Sequence, residues 1–120
     1  MDRDVENLVQ QFRDELGLAL GGNLEQVILY GSRARGDEDP DSDLDVLVVV
    51  RDYGRSERET IHRIAYQLMW DREFQPLISL NIIDLEHYLL LRAAGSSYLG
   101  NILREGKPLW PIGGTKASIG

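Results

Sequence analysis

Residues 25–50 read EQVILYGSRARGDEDPDSDLDVLVVV, and the fold turns on how this stretch divides. Val27, Ile28, Leu29 and Tyr30 form a short apolar run that reads as a buried strand, which Gly31 breaks. Leu44 to Val50 is apolar on both faces apart from Asp45 and rich in β-branched residues, as expected of a central strand covered on both sides. Between the two lies a polar connection, and its C-terminal part, residues 37–45, holds six acids and no base.

Working outward, Val5, Leu8, Val9, Phe12, Leu16 and Leu20 recur at spacings of three or four. They predict an amphipathic helix over residues 2–20, ended by Gly21-Gly22-Asn23. After the central strand, Asp52-Tyr53-Gly54 makes a turn. A second helix runs from Ser56 to about Phe74 with Ile61, Ile64, Ala65, Leu68 and Met69 as its buried stripe. Pro76 follows it, and Leu77 to Ile83 reads as a third strand. Asp84 is placed to cap a short helix over Leu85 to Arg92. Ser96 or Ser97 can cap another, carrying Leu99, Ile102 and Leu103, closed by Gly106 with Pro108 just beyond. Trp70 and Trp110 read as core or interface aromatics, and Tyr88 to Leu91 as an apolar run that is core or partner-facing. The order α-β-β-α-β-α-α predicts one α/β (α+β) domain, a small mixed sheet with helices packed on it, over residues 1–112. Residues 113–120 read as a flexible tail.

Composition narrows the function classes. The 120 residues include 20 acids and 13 bases, a formal net charge of -7. Without residues 37–45, 14 acids face 13 bases, so the acidity is one local feature. An acidic chain without clustered Lys and Arg points away from direct nucleic-acid binding. The absence of cysteine excludes disulfide scaffolds, zinc ribbons and thiol catalysis. No apolar run approaches a membrane span, and Met1-Asp2-Arg3-Asp4 does not resemble a secretory leader, so the expected compartment is the cytoplasm.

The chemistry concentrates in a pattern GS-x10-DxD: Gly31-Ser32 after the first strand, then Asp43-Leu44-Asp45 at the entrance of the second. Residues two apart on a strand face the same way, so the Asp43 and Asp45 carboxylates converge. At about 6 Å and an effective dielectric near 20, their repulsion is roughly 3 kcal/mol, which protonation or a cation would relieve. A hard oxygen pair without Cys or His nearby favours Mg²⁺ over zinc. Gly31 permits a sharp turn, Ser32 offers a hydroxyl and an N–H to an anion, and Arg33 and Arg35 can neutralise a polyphosphate. Anion donors beside a metal-binding pair describe a nucleoside triphosphate site and metal-assisted nucleotidyl transfer. Taken singly, a DxD pair is more often a solvated strand end and Gly-Ser a plain turn; their conjunction carries the reading.

Gly31-Ser32-Arg33-Ala34-Arg35-Gly36 through Asp41-Ser42-Asp43-Leu44-Asp45 resembles the signature of the DNA polymerase beta-like nucleotidyltransferase superfamily. At this length the chain looks most like its minimal nucleotidyltransferases (MNT proteins). The likeness is strong over residues 25–50 and continues weakly over Asn101 to Gly106. It implies a palm-like nucleotidyltransferase fold. Gly31 and Ser32 would bind the triphosphate of ATP, and Asp43 and Asp45 would hold two Mg²⁺ ions. It also implies transfer of AMP to a hydroxyl, and many MNT proteins are antitoxins that add AMP to a tyrosine of a HEPN-domain toxin. One departure stands out. The superfamily pattern has a third carboxylate on a later strand, whereas the third strand here presents Ser79 and Asn81 by alternation. Asn81 could ligate through its amide oxygen, and Asp84 at the strand end could reach in or cap a helix. Two alternatives follow: an antitoxin that neutralises its partner by binding with little turnover, and transfer to a small-molecule hydroxyl such as an antibiotic's.

Overall fold

The computed structural model describes residues 3–31, Ala34 and residues 42–111. Its elements are α1 (Arg3–Leu20), β1 (Leu24–Tyr30), β2 (Leu44–Val50), α2 (Arg55–Asp71), β3 (Ile78–Asp84), α3 (Leu85–Ala93), α4 (Ser97–Glu105) and β4 (Lys107–Trp110). A 3₁₀ turn over Gly21–Asn23 joins α1 to β1. The four strands form one mixed sheet in the order β3-β2-β1-β4. β1 runs antiparallel to both β2 and β4, whereas β2 and β3 are parallel, with α2 as their crossover.

Alternation along the strands splits the apolar residues into two cores. Val27, Leu29, Leu44, Val46, Val48, Val50 and Ile78 face the helices α1 and α2, where Leu8, Phe12, Leu16, Ile61 and Leu68 complete the larger core. The opposite face is smaller. There Ile28, Leu47, Val49 and Ile83 pack against Tyr88 of α3 and Leu99 and Ile102 of α4. β2 is therefore covered on both faces, as its unbroken apolar run requires. The exception is its first turn of sequence, where Asp45 takes a position that Leu47 and Val49 fill further along.

Local chemistry fixes the ends of the helices. Gly54 N donates to Glu57 Oε1 at 2.9 Å at the start of α2. Asp84 Oδ1 accepts from His87 N at 2.7 Å and Ser96 Oγ from Leu99 N at 3.2 Å, so both expected caps are in place on α3 and α4. Asn23 clamps the turn after β2, donating to Asp52 O at 2.9 Å and accepting from Asp52 N at 2.8 Å.

Two features differ from the sequence reading, β4 and the exposure of Leu103, and two readings left open, for Trp70 and for the apolar run of α3, are decided. Residues 107–110, expected as the chain leaving the last helix, form the edge strand β4. Its Pro108 is tolerated there because an edge position has one unpaired side. Trp110 packs against Gly17 of α1 and donates Nε1–H to Leu24 O at 3.2 Å. Trp70 is not core: it is 61% exposed, stacked on Tyr66 and edge-on to Phe74 on the outer side of α2. Leu103 of α4 is also exposed, as are Leu89 and Leu90 in the apolar run of α3, while Tyr88 is fully buried. Among the described residues no helix is long and apolar enough to cross a membrane.

Candidate active site

The acidic pair stands where β2 begins. Asp45 is partly buried, opposite Tyr30 on β1 and Ser79 on β3. Asp43, two residues earlier, is exposed. Burial first, and the charge of Asp43 second, push the Asp45 carboxyl above its ordinary value. The two groups therefore sense each other electrostatically, as the DxD spacing predicts.

Gly31 takes part in this arrangement in a way the sequence does not disclose. It adopts φ +78°, in the left-handed region, and a Cβ built there would overlap the Asp45 Oδ2 atom. The glycine is thus required twice, for the turn out of β1 and for room to seat the Asp45 carboxylate. Ala34 is buried. Ser32, Arg33, Arg35 and the acids Asp37, Glu38, Asp39 and Asp41 lie outside the described residues.

The third-strand positions are now fixed by register. Ser79 flanks Asp45 directly, and Asn81 stands one step further in, opposite Leu47. Asn81 Nδ2 donates to the Tyr98 hydroxyl, so its amide is engaged by α4. Asp84 lies opposite Val50 at the far end of the strand and caps α3. Neither Asn81 nor Asp84 stands beside the acidic pair. Among the described residues no group of three or more His, Cys, Asp and Glu could hold a metal. His62 and His87 are both exposed.

Sequence reasoning passed over the site placement of two residues of this face, Tyr30 and Tyr98, and left that of Ser79 open. Tyr30 was assigned to the strand core, but alternation places it beside Asp45. Burial, a hydrogen bond with Tyr98 and the nearby charges of Tyr98 and Asp45 all hold the proton on its phenol. Tyr98 reaches the face from the first turn of α4, a contact that no local pattern announces. Ser79 was recognised as facing inward, yet its place opposite Asp45 follows only from the parallel register. A fourth polar residue is structural. Glu25, fully buried at the β1 bulge, pairs with Arg51 at the other end of the sheet.

The donor set fits a hard divalent cation. Two carboxylates share one face, one of them partly buried and destabilised in its charged form by the other, and a cation removes that penalty. A cleft of about 590 Å³ between α2 and β3, lined by His62, Tyr66, Met69, Ile78 and Leu80 among others, opens on the opposite face of the sheet and has no such pair.

The profile of the nucleotidyltransferase domain matches residues 6–90. The chain belongs to the nucleotidyltransferase domain family. Among its relatives, this nucleotidyltransferase is 36% identical over 78 residues to a Methanocaldococcus jannaschii protein named as a proposed protein adenylyltransferase, covering 62% of the chain and 79% of the relative. A second protein of that organism, named in the same way, is 27% identical over 105 residues, or 88% of the chain and 97% of the relative. The fold is shared with solved structures. A toxin–antitoxin assembly with AMP-PNP superposes with a TM-score of 0.56 at 22% identity, covering 92% of the nucleotidyltransferase and 77% of that chain. A Sulfolobus solfataricus protein assigned as a nucleotidyltransferase gives 0.53 at 20% identity, covering 87% and 78%.

Proposed function

We propose that this nucleotidyltransferase moves AMP from ATP to a hydroxyl on a partner protein, with Mg²⁺ held by Asp43 and Asp45. The observation that carries the reading is the seating of Asp45: a carboxylate pair at the mouth of β2, packed against an obligatory glycine at the end of β1. Gly31 leads into Ser32, Arg33 and Arg35, whose residue types suit the triphosphate. When bound, the metal would supply Lewis-acid polarisation of the phosphate and charge stabilisation at the attacking and leaving oxygens. Asp43 and Asp45 would hold and orient it, with Gly31 packed against Asp45. The names of the curated relatives favour AMP as the transferred group and a protein as acceptor. The toxin–antitoxin neighbour crystallised with an ATP analogue supports an antitoxin role. Resemblance to the minimal nucleotidyltransferases points to a tyrosine of a HEPN-domain toxin in the cytoplasm.

The experiment is transfer of label from α-labelled ATP to the candidate toxin in the presence of Mg²⁺. Asp43→Ala combined with Asp45→Ala should abolish labelling; labelling that survives the double substitution refutes the proposal. A second reading, neutralisation by binding with little turnover, is favoured by one observation: β3 places Ser79 rather than a carboxylate beside Asp45. In that case the double variant would still neutralise the toxin while transferring nothing.

A further inference from the structure

β3 is an open edge of the sheet, and its register fixes which of its peptide groups face outward. Leu44 N donates to Leu77 O at 2.8 Å, so the backbone of Leu77 turns toward β2, and by alternation so does that of Ser79, Asn81 and Ile83. The backbone groups of Ile78, Leu80, Ile82 and Asp84 therefore turn away from the sheet. Ile78 agrees with this parity: its N–H donates to Met69 Sδ on α2 at 3.2 Å. Among the described residues no strand lies beyond Leu80 and Ile82, whose two N–H and two C=O groups point outward.

Edges of this kind are normally blunted by Lys, Pro, a bulge or short length. The other edge, β4, follows that rule, with four residues that include Lys107 and Pro108. β3 does not. It is seven residues long, carries no Pro and no base, and pairs with β2 without a register shift. Its flank is apolar as well. Tyr66 lines the cleft between α2 and β3, Trp70 stacks on Tyr66, and Leu77 precedes the strand; all three are exposed. Interfaces are enriched in such rings.

Register, charge and size fit a second copy of the chain. An antiparallel β3 centred on Asn81 pairs the strand over its whole length. Leu80 then falls opposite Ile82 and Ile78 opposite Asp84, so outward groups meet outward groups and the two Asp84 carboxylates stand at opposite ends. α2 returns antiparallel to β3, with Met69 level with Ile78. From Ile78 to Asn81 is about 10 Å, or about seven helical residues back along α2. A two-fold axis at Asn81 thus passes α2 between Glu59 and Arg63, which both line the cleft, and each Glu59 meets the Arg63 of the other copy. Arg63 has no ion pair among the described residues, and Glu59 bonds Arg55 at the surface through Oε1 alone. The face offered is about 23 Å of strand by about 20 Å of sheet and helix layer. That is on the order of 500 Å² per copy and 1,000 Å² in all, the lower range of a specific interface.

We propose that two copies of the chain join through β3 into one continuous sheet, with each α2 beside its counterpart. In that dimer Ser79, the neighbour of Asp45, lies opposite the partner's Ile83, so each copy borders the other's acidic site.

The test is sedimentation velocity of the full chain from about 1 μM to about 1 mM, with hydrogen exchange measured at the same concentrations. The mass should rise from 13.6 kDa toward twice that, and the Leu80 and Ile82 amides should become protected in step. Arg63→Glu sets like charges together at two places across the axis and should weaken association about fivefold to thirtyfold. Adding Glu59→Arg restores opposite charges and should recover it. Leu80→Pro removes an outward N–H that β2 does not use and should leave a folded monomer; if it does not fold, the charge swap and the exchange decide. A chain that stays monomeric throughout overturns the proposal, even where another protein protects Leu80 and Ile82. A dimer that ignores the charge swap, persists in folded Leu80→Pro protein, or leaves those two amides unprotected also overturns it, because the copies then meet elsewhere. No readout requires nucleotide, so failure here leaves nucleotidyl transfer untouched.

Discussion

Replacing Gly31 by alanine tests the coupling between the end of β1 and the acidic pair. Two costs can be read from the geometry. A residue with a Cβ at φ +78° enters the left-handed region, at about 1–2 kcal/mol. The new Cβ would overlap Asp45 Oδ2 and lie 3.2 Å from its Cγ, so the carboxylate must turn away, which costs about 0.5–1.5 kcal/mol more if it leaves its rotamer. The sum is about 1.5–3.5 kcal/mol of folding stability, measurable by urea denaturation. Because the displaced group is a proposed Mg²⁺ ligand, metal affinity should fall in the same variant, measured by calorimetry. A double-mutant cycle separates the two costs. In an Asp45→Ala background the overlap is gone, and Gly31→Ala should cost only the backbone share, leaving a coupling of about 0.5–1.5 kcal/mol. An equal cost in both backgrounds, or unaltered metal affinity in the single variant, would refute the reasoning.

Three further outcomes are expected. Asp45 binds its proton more tightly folded than unfolded, through burial and then Asp43, so the folded state carries more protons across the window between its ordinary and raised values. Metal-free stability therefore falls as pH rises through that window, and Asp45→Asn should remove that slope and stabilise the metal-free protein at neutral pH; parallel urea midpoints for the two proteins across a pH series would contradict it. Ser79→Asp places a carboxylate opposite Asp45 and should tighten Mg²⁺ binding in a calorimetric titration, whereas no gain would show that the Ser79 position does not face the metal. Gly17→Ala brings a methyl to 2.6 Å and 2.8 Å from ring carbons of Trp110 and should cost about 1–3 kcal/mol by overpacking. Its check is a lowered denaturation midpoint together with altered tryptophan fluorescence.

The elements with strong periodicity were legible in the sequence. Leu44–Val50 could hardly be anything other than a central strand, and α1 announced itself through six apolar positions on one face. The cap Asp84 was readable, and the second cap was narrowed to Ser96 or Ser97, because capping chemistry is local. β4 was not, since Lys107-Pro108-Leu109-Trp110 has neither length nor alternation and becomes a strand only by pairing with Val27, Ile28 and Leu29. For Trp70 the sequence left core and interface both open, because periodicity alone does not say whether another layer covers the outer side of α2; it is exposed among the described residues. In the site, the acidic pair and Gly31 were visible because they lie within one short motif. The Tyr30–Tyr98–Asn81 cluster joins residues from three separate segments, so its composition depends on register and on where α4 lands.

The two apolar cores hold their helices unequally. α1 buries Val5, Leu8, Val9, Phe12 and Leu16, and α2 buries four residues, whereas α3 contributes only Tyr88, and α4 Leu99 and Ile102. Amides in α3 and α4 should consequently exchange with deuterium through smaller openings than those of α1, which need the larger core to come apart. Tyr98 sits on that lightly anchored layer. Opening of that layer would release the contact from Asn81 Nδ2 to the Tyr98 hydroxyl while the larger core stays closed.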